Sequence, residues 1–193
     1  MTIATQAAET DLQVASTGPH PGLPGAVLAD LRTDHAGETG AGCIYRGVLR
    51  VARDPALHAF AQRHLATETA HLQLIEAWLP AAGRSRLLPA WRLAGWLTGA
   101  LPALFGPRAV YHTIETVERF VDQHYEAQIR HLAAFPALHA LRLTLLQCQG
   151  DEVAHRVEAA AARGTEAPGP GLRAWCWLVD AGSRGAVAVC RLI

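Results

Sequence analysis

Four stretches of the chain carry apolar side chains at helical spacing, and a glutamate interrupts each stripe. The first stripe runs Val27, Leu31, Tyr45 and Leu49, with Glu38 midway along it. The second runs Phe60, His64, Glu68, His71, Leu72 and Ile75. The third holds Ile114, Glu118, Val121 and Tyr125, and the fourth Leu141, Leu145, Glu152, His155 and Ala159. A carboxylate on the apolar face of one helix is costly to bury. Four such helices fold together only if the carboxylates meet and something neutralises them. Prolines punctuate these pieces at Pro24, Pro55, Pro80, Pro107, Pro136 and Pro168. Asp54-Pro55 and Phe135-Pro136 have the form of helix starts, where proline's missing N–H costs nothing. Ala, Leu, Arg and Glu fill the intervals and strand patterns are nearly absent, so the chain is predicted to be all-α.

Two of the four interruptions have the form Glu-x-x-His: Glu68-Thr-Ala-His71 and Glu152-Val-Ala-His155. Three residues apart on a helix, both side chains face the same way. A helix with a single inward glutamate, Glu38 or Glu118, precedes each pair, so the order is Glu, ExxH, Glu, ExxH. The halves have similar spacing: thirty residues from Glu38 to Glu68, thirty-four from Glu118 to Glu152. Such a donor set characterises the ferritin-like di-iron carboxylate bundles. Four carboxylates match the charge of two divalent ions, and without metal they would repel and hold protons. Oxygen and imidazole donors with open positions suit iron that binds dioxygen. One ExxH alone is more often a surface ion pair; two on separate helices, each with an inward glutamate before it, are not. Asp151 could hold a histidine ring through its N–H or sit in solvent, and Glu115 reads as an ion-pair residue. The run from His35 to Gly42 superficially matches a phosphate-cradling glycine loop, but no strand precedes it. Its glycines leave room beside Glu38 for a flat ring or a closely packed helix.

The chain has 17 basic and 17 acidic residues, and every basic one is arginine. Lacking lysine, it cannot form a Schiff base or a P-loop nucleotide site. Zero net charge argues against a nucleic-acid partner. Cys43, Cys148, Cys176 and Cys190 form no CxxC pair and read as small apolar residues of a reducing compartment. No secretory signal is visible in the sequence. Residues 1–22 read as a disordered polar tail, and 23–193 as a single di-iron helical bundle domain.

The segments LRTDHAGETGAGCIYRGVLRVARD, FAQRHLATETAHLQLIEAWLP, ETVERFVDQHYEAQIRHL and CQGDEVAHRVEA carry a specific resemblance. From about residue 26 to the C-terminus, the chain resembles the demethoxyubiquinone hydroxylases of ubiquinone biosynthesis. The resemblance implies that Glu38, Glu68, His71, Glu118, Glu152 and His155 bind two iron ions. It places Tyr125 and His124 beside the metal pocket as candidate catalytic residues. The implied reaction is oxygen-dependent hydroxylation of the benzoquinol ring of a polyprenylated ubiquinone precursor. Its electrons come from an external reductant such as NADH, since no flavin or nicotinamide motif is present.

Two apolar pieces lie outside the four stripes, at 87–106 and 172–193. Arginines and prolines make them poor membrane spans. Four of the five tryptophans (Trp91, Trp96, Trp175 and Trp177) fall in them, as expected of helices lying in a membrane interface. Setting aside the four core glutamates leaves 13 acids against 17 arginines. Arg84, Arg86, Arg92 and Arg108 occupy an acid-free interval around the first apolar piece. The expected architecture is thus a ferritin-like four-helix bundle with two additional apolar, membrane-interfacial helices. It would attach peripherally to anionic lipid on the cytoplasmic face of a bacterial membrane, with a lipid-presenting protein or a second copy as possible partners. The competing functions are iron storage or peroxide removal on the same ligands, and a non-catalytic membrane scaffold.

Overall fold

Proline and its neighbours set where the helices begin. In the computed structural model, which describes residues 22–193, α1 spans Gly25–Val51 and α2 Pro55–Trp78. The Asp54 carboxylate caps α2 by accepting from the Leu57 N–H at 2.7 Å, a contact worth about 1 kcal/mol. A 3₁₀ turn at Ala81–Gly83 leads into α3, Leu88–Ala103. Gly106, at φ 99°, turns the chain into α4, Pro107–Leu132. Pro136 starts a 3₁₀ turn, Pro136–Leu138, and not the helix expected there; α5 runs His139–Ala162. The last helix, α6, begins at Pro170, two residues after the predicted break, and ends at Cys190. No strand occurs among the described residues. Nearly all of the tail expected over residues 1–22 lies outside them.

Within the bundle, α1 packs on α2 and α4 on α5, while α3 covers α1 and α6 covers α4. The buried apolar side chains form two clusters. One contains Tyr45, Val48, Leu57, Phe60, Val110 and Ile114. The other contains Leu31, Ile75, Tyr125, Ile129, Leu141 and Leu145. Along every bundle helix the interrupting glutamate falls between the residues of one cluster and those of the other. The carboxylates therefore sit between two dry layers.

Helix α3 approaches α1 at backbone distance. A Cβ on Gly95 would overlap the Gly40 carbonyl, one on Gly99 the Ile44 carbonyl, and one on Gly47 the Trp96 carbonyl. The outward faces of α3 and α6 are apolar, with Leu93, Leu101, Trp177 and Leu178 exposed, and Phe105 is exposed just beyond the end of α3. The tryptophans divide. Trp91 donates to Ser85 Oγ and Trp175 to Thr113 Oγ1, while Trp96 and Trp177 face outward. No described helix is long and apolar enough to cross a membrane. The expected arginine patch is smaller than the sequence suggested, because Arg84 pairs with Glu76 and Arg108 with Glu166.

Candidate metal centre and its two approaches

Glu38 from α1, Glu68 and His71 from α2, Glu118 from α4, and Glu152 and His155 from α5 are all buried and converge between the two apolar layers. They form two overlapping groups. Glu38, Glu68, His71 and Glu152 each offer a donor atom, all within 4.8 Å of one another; Glu68, Glu118, Glu152 and His155 do the same. Glu68 and Glu152 belong to both groups, whereas Glu38 and Glu118 belong to one each. The arrangement is symmetric under exchange of α1 with α4 and α2 with α5, as the spacing of the two sequence halves anticipates.

Several atoms facing the centre lack hydrogen-bond partners. Glu38 Oε2, both Glu68 oxygens, Glu152 Oε2 and His155 Nδ1 are buried with no hydrogen bond. Orphaned buried acceptors are costly, and a cation between them satisfies all of them at once. His155 Nδ1 stands 3.3 Å from Glu68 Oε1 and 3.3 Å from Glu152 Oε2. His71 Nδ1 lies 2.9 Å from Glu152 Oε1, and its Nε2 lies 3.1 Å from Asp151 Oδ2. Asp151 thus fixes the His71 ring so that Nδ1 faces the carboxylates.

Protonation follows from this crowding. Burial, then the charge of Glu152, pushes the Glu68 and Glu118 carboxyls well above their ordinary range. Burial opposes a charged His71 ring, but hydrogen bonds to Glu152 and Glu38 overcome it and raise the ring to about 11. Burial likewise opposes a charged Glu152, yet His155 and His71 hold it down to about 2. The site stores protons when no cation is present.

Each outer glutamate is braced by a tyrosine from the opposite helix. Tyr45 of α1 donates to Glu118 Oε1 of α4 at 3.0 Å, and Tyr125 of α4 donates to Glu38 Oε1 of α1. Both tyrosines lie seven residues beyond a glutamate. Tyr45 was legible only as a stripe residue, although its matching offset to Tyr125 was available as a signal. His124 lies apart from both donor groups. Its Nε2 is 2.9 Å from Thr33 Oγ1, 2.8 Å from Gln128 Nε2 and 3.3 Å from Asp34 Oδ1, in a network joining α1 to α4. The His64 ring lies tilted against that of His155, 3.9 Å between centroids, and contacts Glu158 Oε2 at 3.0 Å. Glu115 pairs with Arg119 and Arg163 away from the centre.

Two cavities flank α1. One, of about 310 Å³, is apolar and lies among α1, α3, α4 and α6, with Gly37, Gly40, Trp91, Phe120, Trp175 and Leu178 in its wall. The other, of about 250 Å³, opens on Glu38 and Glu68 themselves and is lined further by His35, Arg46, Arg84 and Arg92.

The comparisons with known proteins point the same way. The family model described as Ubiquinone biosynthesis protein COQ7 matches residues 26–190. The NADPH-dependent 3-demethoxyubiquinone 3-hydroxylase, mitochondrial, of Caenorhabditis elegans is 29% identical over 189 residues, which span 94% of this chain and 99% of the relative. The 3-demethoxyubiquinol 3-hydroxylase of Rhodospirillum rubrum is 36% identical over 155 residues, 77% of this chain and 72% of the relative. That of Paracidovorax citrulli is 30% identical over 170 residues, 82% of each chain.

Proposed function

Because the chain belongs to the family of the ubiquinone biosynthesis protein COQ7, we propose that it is a 3-demethoxyubiquinol 3-hydroxylase: a di-iron monooxygenase that hydroxylates the benzoquinol ring of a polyprenylated precursor. One observation carries this reading, the convergence of six buried Glu and His side chains, four of which (Glu38, Glu68, Glu152 and His155) keep buried atoms without a hydrogen-bond partner. Glu38 and His71 would hold one iron, Glu118 and His155 the other, and Glu68 and Glu152 would be shared. When bound, the iron pair supplies the redox chemistry that dioxygen needs. In the overall reaction a ring C–H becomes C–OH, one oxygen atom leaves as water, and two electrons with two protons enter from a reductant. The worm relative's being NADPH-dependent by name supports a reduced pyridine nucleotide in that role.

The protein's own side chains do the rest. Tyr45 and Tyr125 hold the outer glutamates by their Oε1 atoms, leaving the other carboxylate oxygens for metal. Asp151 would keep one proton of His71 on Nε2, so that Nδ1 could ligate once metal displaces the proton it shares with Glu152. The apolar cavity is the place for the quinol ring and the first part of its tail. Leu178, in its wall, is also an exposed residue of the apolar α3–α6 face, so the cavity reaches that face. That face supports peripheral attachment to the bilayer in which such a substrate dissolves, at the cytoplasmic side of a bacterial membrane. Residues 23–193 would act as a single unit.

The test is complementation of a strain lacking this hydroxylation, with quinone mass analysis and iron determination on the purified protein. Conversion of the demethoxy precursor, lost on Glu152→Ala, is the expected result. Accumulated precursor despite expressed, iron-loaded protein would refute the reading.

A further inference from the structure

The carboxylates can be approached from the side of α1 opposite the apolar cavity, through the 250 Å³ pocket between α1, the end of α2 and the start of α3. Arg46, Arg84 and Arg92 bring three guanidinium groups to it. Arg84 Nη1 pairs with Glu76 at 2.9 Å, while Arg46 and Arg92 enter no ion pair among the described residues. With Glu38 and Glu68 neutralised by metal, three arginines against Glu76 leave an excess of two positive charges. The Arg46 side chain folds back along α1. Its Nη1 lies 3.8 Å from Cys43 Sγ, and a Cβ on Gly42 would come within 3.3 Å of it.

Two buried atoms in the wall of this pocket have no hydrogen-bond partner: Arg84 Nε and His35 Nδ1. The first is a donor. His35 is 3% exposed, and its Nε2 lies 3.2 Å from Glu76 Oε1, which places the ring proton on Nε2. Burial, aided by the Arg84 and Arg92 charges, keeps the ring neutral, so Nδ1 is an acceptor. Two unpaired guanidinium groups, an unused donor and an unused acceptor together complement a ligand that carries oxyanions and a hydroxyl group.

We infer that this pocket receives the pyrophosphate and one ribose of the nucleotide reductant, with phosphate oxygens on Arg46 and Arg92 and a ribose hydroxyl on His35. The inference deepens the hydroxylase reading and rests on it for the reductant's identity. It gives the two co-substrates separate entrances, quinol from the apolar side of α1 and nucleotide from the basic side.

The probe is NADP⁺, which cannot donate a hydride, titrated by equilibrium dialysis into the iron-reconstituted full chain. Inorganic pyrophosphate and phosphatidylglycerol vesicles serve as parallel ligands. NADP⁺ should bind, pyrophosphate should compete, and affinity should fall as salt rises. The Arg46→Ala/Arg92→Ala double variant should weaken binding about tenfold or more, since it removes two charge-assisted contacts. Arg86→Ala, an exposed arginine outside the pocket, should change it by less than about twofold. His35→Asn should weaken NADP⁺ but leave pyrophosphate unaffected. Both arginines of the double variant are exposed, so its helix content should match that of the parent chain. Equal binding by the double variant, no binding of NADP⁺ at millimolar concentration, or dependence of vesicle binding alone on these arginines would each overturn the inference. Iron content of the same samples reports on the metal centre separately. Iron-loaded, quinol-converting protein that ignores NADP⁺ defeats this inference and leaves the hydroxylase reading standing.

Discussion

The two cavities beside α1 share a wall in that helix and differ in almost every other property. On one side Gly37, Gly40 and Ala41 border an apolar chamber walled by tryptophan and phenylalanine. On the other, Glu38, Gly42 and Arg46 border a basic one that contains ligand atoms directly. A single helix with a period of 3.6 residues separates them, so one or two positions along the sequence decide which environment a side chain meets. The lesson is that α1 works as a partition. Polarity is sorted by helix face, while the centre stays enclosed between two apolar layers.

Removing what the two sides share should have the largest effect. Glu68→Ala or Glu152→Ala deletes a donor common to both groups, so iron content should fall below about one per chain and hydroxylation to background. Metal analysis and quinone turnover check this, and retention of two irons would break the partition's common centre. Next comes the crossing that holds α3 in place. Gly95→Leu or Gly99→Leu drives a side chain into the α1 backbone and should cost about 3 kcal/mol. For a chain of this size that lowers the melting temperature by about 6–12 °C, readable by thermal unfolding.

Smaller changes should separate the cavities. Gly37→Leu points into open space beside the apolar chamber and should raise the quinol KM roughly tenfold with iron content unchanged. The Arg46/Arg92 variant should leave quinol KM alone; a matching rise there would merge the two entrances into one. Tyr45→Phe and Tyr125→Phe each remove one hydrogen bond to an outer glutamate, which should weaken iron binding about tenfold. Proton competition gives the smallest and most graded effect. Glu68, Glu118 and His71 hold protons more strongly than their ordinary counterparts. Metal must displace those protons, so affinity should fall as pH is lowered, with proton release visible by calorimetry in buffers of different ionisation heat. Uptake independent of pH would contradict the protonated resting state.

Much of the bundle was legible because a glutamate inside an apolar stripe stands out along one helix. The all-α class, the helix pieces and the six converging side chains all follow from that one-dimensional contrast. What could not be read depends on pairs distant in the chain. Tyr45 looked like packing because its acceptor, Glu118, lies 73 residues away. Arg108 looked free because Glu166 closes on it from beyond α5. The sharing of Glu68 and Glu152 depends on how two hairpins face each other, which no stripe encodes. The division of space around α1 depends on α3, whose apolar sequence reveals composition but not which side it covers. Pro136 misled for a local reason: the chain spends one 3₁₀ turn redirecting itself before α5 can start.

The contact between α1 and α3 has a mechanical consequence. Glycines at the crossing bring main chain against main chain, with no flexible side chains between to absorb displacement. A push on the outward face of α3, at Leu93 or Leu101, is therefore transmitted to the helix that carries Glu38 with little loss. The pair behaves as one stiff lever, whose outer arm is apolar surface and whose inner arm ends at a carboxylate.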